Sequence, residues 1–138
     1  MKNAKNLIIL LVTLTTIAAC TNLERILVFP NGTWNVDQLV KETYISGLGV
    51  QNDTTANDGT MTFDNDKTGS YEDANGDTGT FTWSYDKEAE VLTVVENSDS
   101  LFYDVIETKF NSQTLRSEKI TKVLGVEYKN IRTVSISR

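Results

Sequence analysis

The sequence predicts an all-β protein made of short antiparallel strands, and two features of its 138 residues carry that prediction. Apolar and polar side chains alternate with a period of two over much of the chain, as in residues 80–85, where three aromatic residues alternate with threonine and serine. Such alternation places the apolar side chains on one face of a strand. Polar turn clusters separate these runs at regular spacing, which is typical of a β-sandwich or a β-barrel.

The first element of the predicted domain is a helical turn. After the N-terminal twenty residues, only residues 23–29 could form one, and the Pro-Asn-Gly sequence at residues 30–32 would end it. Strands are then predicted near residues 33–37 and 40–45. The acidic, glycine-containing stretch at residues 51–59 is predicted to be a mobile loop.

The remaining strands are bounded by turn signals. Polar turns are predicted at residues 64–69 and 73–77, and the second contains Asn75-Gly76, a strong hairpin signal. Residues 91–95 are nearly all β-branched or apolar, as expected of a buried strand. Strands are predicted near residues 59–64, 69–73, 79–85, 90–96, 101–108, 113–119 and 126–137.

The first twenty residues combine a basic start, an apolar stretch and a cysteine. Lys2 and Lys5 precede an apolar run at residues 7–19, and Ile-Ala-Ala leads directly into Cys20, the only cysteine in the chain. This arrangement resembles the signal and lipobox of bacterial lipoproteins, and the run is shorter than the roughly 20 residues that span a bilayer. The resemblance implies that residues 1–19 are removed and that Cys20 carries diacylglycerol and a fatty acyl chain such as palmitate. The alternative is an uncleaved anchor with an incidental cysteine.

Lipidation would make the protein a membrane-tethered component of the cell envelope. The predicted organisation is a lipidated linker at residues 20–31, followed by one domain at residues 32–138. Inner-membrane lipoproteins of Gram-negative bacteria often carry Asp after the cysteine, so Thr21 resembles the outer-membrane class. The sequence leaves open the face of the membrane and the oligomeric state.

Charge and composition exclude several classes of function. The chain carries 13 basic and 19 acidic residues, which argues against a nucleic-acid partner because phosphate contacts need a basic surface. It has no histidine and one cysteine, which excludes a His–Cys zinc site, a Ser-His-Asp triad and a histidine general base. We therefore predict a protein that is not an enzyme and has no cofactor apart from the lipid on Cys20.

Three patches resemble the lipocalin-like lipoproteins of bacteria. Gly32 and Trp34 form a Gly-x-Trp sequence at the opening of the first strand. Residues 59–71 resemble a hairpin in which a Phe-Asp pair precedes a Gly-Ser-Tyr return strand, and residues 81–86 form an aromatic strand that ends in a turn. The resemblance covers residues 31–138 and implies a small antiparallel β-barrel of about eight strands.

In lipocalins, the tryptophan of the Gly-x-Trp sequence closes the bottom of the barrel, and an arginine from the last strand packs across it. The resemblance assigns these roles to Trp34 and Arg132, because Arg132 shares a strand face with two apolar residues of the tail. Cation–π stacking on Trp34 would offset part of the cost of burying the arginine. Arg116 and Arg138 are rivals for this role, and the alternative is an edge strand with Arg132 pointing to solvent.

Two acidic segments resemble the start of a calcium-binding loop. Residues 64–69 place carboxylates at alternate positions before a glycine, and residues 73–77 repeat part of that spacing. The match of the first segment then fails, because Asn75 stands at the twelfth position of that loop, where a bidentate glutamate is needed. We predict hairpin turns here and no metal site. Acid pairs such as Glu72 and Asp73 are predicted to be solvated surface groups.

A face rich in aromatic side chains has two interpretations. It is either the filled core of a small barrel or the lining of a cavity that binds an apolar ligand or stacks on sugar rings. The first predicts an envelope interaction protein, such as an accessory subunit or inhibitor, and the second predicts a carrier of a small hydrophobic or lipid-like molecule. The carrier is the main prediction, and its candidate lining residues are Met61, Phe63, Tyr71, Phe81, Trp83 and Tyr85.

Overall fold

The computed structural model describes residues 22–138. The predicted signal peptide at residues 1–19 and the predicted lipidation site Cys20 lie outside these residues. The described chain forms one short helix and nine strands: α1 Leu23–Val28, β1 Thr33–Ile45, β2 Leu48–Ala56, β3 Thr60–Phe63, β4 Thr68–Glu72, β5 Thr78–Asp86, β6 Val91–Glu96, β7 Asp99–Lys109, β8 Ser112–Val123 and β9 Val126–Ser137.

Eight of the strands close into an antiparallel β-barrel. The hydrogen-bonded order is β1-β3-β4-β5-β6-β7-β8-β9, and β9 pairs back with β1. Closure removes the free edges that an open sheet would expose. The predicted fold class, all-β with a small antiparallel barrel of about eight strands, is therefore confirmed, and the barrel is the correct one of the two predicted architectures.

Strand β1 pairs along one edge with two strands in succession. Its residues 33–35 pair with β3, and residues 38–45 pair with β2. A bulge between Val36 and Gln38 interrupts its pairing with β9 on the other edge. The extra residue shifts the alternation of side chains, so the sequence pattern predicts two strands where the structure has one long one.

The prediction of a mobile loop at residues 51–59 is wrong for most of that segment. Residues 48–56 form β2, which pairs with β1 and lies outside the closed barrel. Every residue of β2 is exposed. A strand without a buried face needs no alternation of apolar and polar residues, so the pattern that predicted the other strands is missing here.

Two hairpins extend past one end of the barrel and form what we call the arm, residues 42–56 and 118–131. In the arm, β2, β1, β9 and β8 pair side by side. The pairing of β7 with β8 reaches only to Ser117, and that of β1 with β3 only to Asn35. The arm therefore stands beside the end of the barrel that we call the mouth.

Helix α1 covers the opposite end, which we call the closed end. Leu23, Ile26 and Leu27 are buried in the same core as the barrel interior. The Leu27 carbonyl accepts a 2.9 Å hydrogen bond from Nε1 of Trp34. A helix this short depends on such packing for its stability. The described part of the segment predicted as a linker, residues 20–31, is thus a built-in part of the domain.

Candidate ligand cavity

The barrel encloses a cavity of about 270 Å³ that is partly open to solvent. Its walls come from all eight barrel strands and from the segments between β2 and β3 and between β4 and β5. The apolar side chains that line its interior are buried, as the inward positions of a barrel require. They include Phe63, Phe81, Leu92, Val94, Leu115 and Val134.

Two phenylalanines from neighbouring hairpins form the aromatic part of the floor. The rings of Phe63 and Phe81 meet edge to face with their centroids 5.4 Å apart, a favoured geometry for aromatic pairs. Gly69 pairs with both residues, on β3 and β5. A Cβ atom at Gly69 would lie 2.3 Å from the Phe81 ring, so the absence of a side chain there lets the ring lie flat across β4.

Trp83 belongs to the packed layer towards the closed end. Its ring meets Phe63 edge to face at 5.5 Å, and its Nε1 donates to the Thr68 carbonyl at 2.9 Å. Lys67 Nζ stacks over the ring at 4.2 Å and also pairs with Glu24 of α1. Trp83 is almost fully buried, so its role is to fill the core and join the helix to the barrel.

The arginine that stacks on Trp34 is Arg138, and the assignment of that role to Arg132 is wrong. The Arg138 guanidinium lies 4.3 Å from the Trp34 ring centroid and 4.9 Å from that of Phe110. Burial lowers the pKa of Arg138 from its usual value. Both arginines have the parity of the inward face, but Arg138 stands at the end of β9 nearest the closed end. The alternation of side chains therefore predicted the correct face of β9, but it did not determine which arginine along that face stacks on Trp34.

Arg132 instead lines the cavity near the mouth, together with Lys41 from β1. It is half-buried, so the alternative in which it points to solvent from an edge strand is also wrong. Three acids, Asp58, Asp73 and Glu96, complete the charged part of the lining. The cavity thus has an apolar interior and a charged rim, the usual composition of a small-molecule pocket.

Two tyrosines, Tyr71 from β4 and Tyr103 from β7, also line the cavity. The Tyr71 hydroxyl donates a 2.6 Å hydrogen bond to Glu96, and this bond raises the pKa of Tyr71 above its usual value. Burial raises the pKa of Tyr103, while the charge of Arg132 offsets part of that rise. Arg132 and both tyrosines line the same cavity, and the charge of Arg132 acts to lower the pKa of each phenol.

The structure separates the six predicted lining residues into two groups. Met61, Phe63, Tyr71 and Phe81 line the cavity, whereas Trp83 and Tyr85 pack in or against the core without reaching it. The sequence analysis did not identify the lining from β6 to β9. The signal that could have located it is the alternation of inward and outward side chains along each strand. This alternation places Leu92 and Val94 of β6, Leu115 of β8 and Val134 of β9 on the inward face.

The two acidic segments form hairpin turns. Asp66 Oδ1 accepts from the backbone N–H of Thr68 at 3.0 Å and from its hydroxyl at 2.6 Å. Asp73 Oδ1 accepts from the backbone N–H groups of Asn75 and Asp77. These hydrogen bonds lower the pKa of both carboxyl groups. Within residues 22–138, no three acidic, histidine or cysteine side chains are grouped to hold a metal ion.

No protein-family model and no curated protein matches this chain. Over the part of the chain that the structure describes, no helix is both long enough and apolar enough to cross a membrane.

Proposed function

We propose that this protein is a membrane-tethered lipoprotein of lipocalin-like type whose barrel binds a small hydrophobic or lipid-like molecule without catalysing a reaction. The observation that supports binding is the cavity of about 270 Å³, which an apolar interior and a charged rim enclose. A barrel evolved only as a packed scaffold would fill that space with side chains.

The size of the cavity limits the ligand. Ligand pockets commonly measure roughly 300–1,000 Å³, and at about 270 Å³ this cavity is slightly smaller than that range. The opposed Phe63 and Phe81 rings narrow its floor. We therefore propose a ligand with one slender apolar chain or a single small ring system rather than a diacyl lipid.

The proposed tether would orient the barrel. Leu23 is only three residues from Cys20 and starts the helix that covers the closed end. Because each residue spans at most about 3.6 Å, a lipid on Cys20 would hold the closed end within roughly 11 Å of the membrane surface. The mouth and the arm would then face away from the tethering membrane, which we propose to be the outer membrane. Ligand exchange would occur on the aqueous side.

Mass spectrometry tests the tether and the cargo separately. Protein expressed in a lipoprotein-processing host should begin at Cys20 and carry the mass of diacylglycerol and a fatty acyl chain, whereas Cys20→Ala should remain unprocessed. Native spectra of gently released protein should show a further, non-covalent mass that disappears on organic extraction. An apo mass that stays unchanged after incubation with envelope lipids would contradict the carrier function.

A second candidate function, docking of a partner protein, is favoured by the exposed apolar residues of the arm. Leu124, at the tip of the β8–β9 hairpin, is fully exposed, and Leu48, at the adjoining β1–β2 hairpin, is 73% exposed. Clusters of this kind often mark contact surfaces. Crosslinking in intact envelopes should then capture one partner that the double variant Leu48→Ser/Leu124→Ser loses, with cargo content unchanged.

A further inference from the structure

The mouth of the cavity places two cations side by side on one wall. Arg132 on β9 and Lys41 on β1 are directly opposed in the strand register, and both line the cavity. Opposed residues hold their Cβ atoms about 5 Å apart, and like charges in that arrangement repel each other. Asp53 is opposite Lys41 on its other side, and Ser117 is opposite Arg132. Neither of the two residues paired directly with Arg132, Lys41 and Ser117, is acidic.

Arg132 also has unused hydrogen-bonding capacity. Its Nε atom is buried and has no hydrogen-bond partner among the described residues. Neither Arg132 nor Lys41 takes part in an ion pair within that part of the chain. A buried donor without an acceptor is unfavourable, and an anionic group of a ligand would satisfy it.

The acids of the rim are largely engaged elsewhere. Glu96 accepts the Tyr71 hydroxyl at 2.6 Å, and Asp73 accepts two backbone N–H groups of its own turn. Asp53, which is outside the lining but opposite Lys41 on β2, accepts a hydrogen bond from Gln51. Only Asp58, between β2 and β3, has no such contact in the described structure. Two of the three rim acids therefore already accept hydrogen bonds of their own, whereas neither Arg132 nor Lys41 forms an ion pair within the described residues.

We propose that the ligand is an amphiphile with a single anionic head group, a carboxylate or a phosphate, bound by Arg132 and Lys41 at the mouth. Its apolar chain would extend over Phe63 and Phe81 towards the closed end. Guanidinium groups suit this role, because their planar set of donors matches the oxygens of both head groups. The inference rests on the proposed carrier function and specifies the chemistry of its cargo.

Binding of matched ten-carbon probes to the full chain in phosphatidylcholine nanodiscs tests the proposal. The probes are decanoate, decyl phosphate and the neutral decanol, each measured by calorimetry with empty discs subtracted. The variants are Arg132→Gln and, as a matched control, Arg116→Gln, which removes an arginine from an exposed position on β8. Uptake of a probe by the discs does not depend on the protein variant. Differences between variants therefore measure the contribution of the substituted side chain to binding.

The preference for either anionic probe over decanol should fall about tenfold or more in Arg132→Gln, the usual effect of losing a charged hydrogen bond. Decanol affinity should change less than about twofold, and Arg116→Gln should match the wild type.

If Arg132→Gln does not fold, Lys41→Gln serves instead, with an expected loss of roughly threefold at that more exposed position. An unchanged preference in a folded variant that still binds decanol overturns the anionic head group and leaves the carrier intact. If no probe binds the wild type above empty discs, the carrier function fails as well.

Discussion

Trp83 shows how much a single side chain contributes to this barrel. It contacts Phe63, bonds the Thr68 carbonyl and lies beneath Lys67. Trp83→Ala should lower the free energy of unfolding by about 3–5 kcal/mol, because it opens a large space in the core. Urea unfolding measures this. The control is Phe102→Ala, whose side chain is 61% exposed on β7 and whose change should stay within about 0.5 kcal/mol. Equal effects in the two variants would place Trp83 outside the core.

Helix α1 tests whether the segment before β1 belongs to the domain. Leu27 is fully buried, and its carbonyl accepts the Trp34 Nε1 hydrogen bond. Leu27→Ala should therefore destabilise the protein by about 2–5 kcal/mol, whereas Arg25→Ala, at an exposed position of the same helix, should have little effect. Thermal unfolding distinguishes the two. A Leu27→Ala protein as stable as the wild type would show that the helix is a detachable linker.

Strand β2 should be the least protected strand of the sheet. It pairs with β1, and all its residues are exposed. β9, by contrast, pairs on both sides, with β1 and β8. Because local opening depends on buried contacts, amides of residues 48–56 should exchange with deuterium well before those of residues 131–137. Hydrogen-exchange mass spectrometry checks this order. Equal protection would mean that the arm is covered by something in solution.

For the whole molecule, the turn carboxylates predict how stability depends on pH. Hydrogen bonds from the Thr68 hydroxyl and N–H lower the pKa of Asp66 in the folded state, and hydrogen bonds from turn N–H groups lower those of Asp73 and Asp86. A group whose pKa is depressed by folding stabilises the protein above its unfolded pKa, about 3.9 for Asp, and loses that contribution as the pH falls further. The free energy of unfolding should therefore decline below about pH 4.

Urea unfolding at pH 7, 5 and 3 measures this decline. The triple variant Asp66→Ala/Asp73→Ala/Asp86→Ala should be less stable at pH 7 and should lose less stability between pH 5 and pH 3. Asp104→Ala removes an exposed carboxylate from the middle of β7 and should keep the wild-type slope. A triple variant with the same slope would assign the acid sensitivity to other groups.

Most of the fold could be predicted from alternation and turn residues, because a barrel strand has one buried and one exposed face. That reasoning located every strand with a buried face, and it failed at β2, whose residues are all exposed. It also divided β1 in two, since a bulge shifts the alternation between Val36 and Gln38. Pairing partners outside the local sequence decide both features.

The candidate site was harder to predict than the fold. Four of the six predicted lining residues do line the cavity, because parity determines which face points inward. Alternation does not determine how far along the barrel axis a side chain lies. Trp83 was therefore grouped with Phe81 as a lining residue, and Arg132 was assigned the contact with Trp34 that Arg138 makes. Strand tilt and stagger set that position along the axis, and neither can be read from one strand alone.

The most direct test of the carrier function compares two adjacent residues of β7. Leu101 lines the cavity, whereas its neighbour Phe102 is exposed, so Leu101→Trp should fill the pocket and Phe102→Trp should not. Native mass spectrometry of both variants, released from the same host envelopes, measures the bound cargo. We expect cargo in the wild type and in Phe102→Trp, and its loss from a folded Leu101→Trp. Equal cargo in both variants, or none in the wild type, would contradict binding in this cavity.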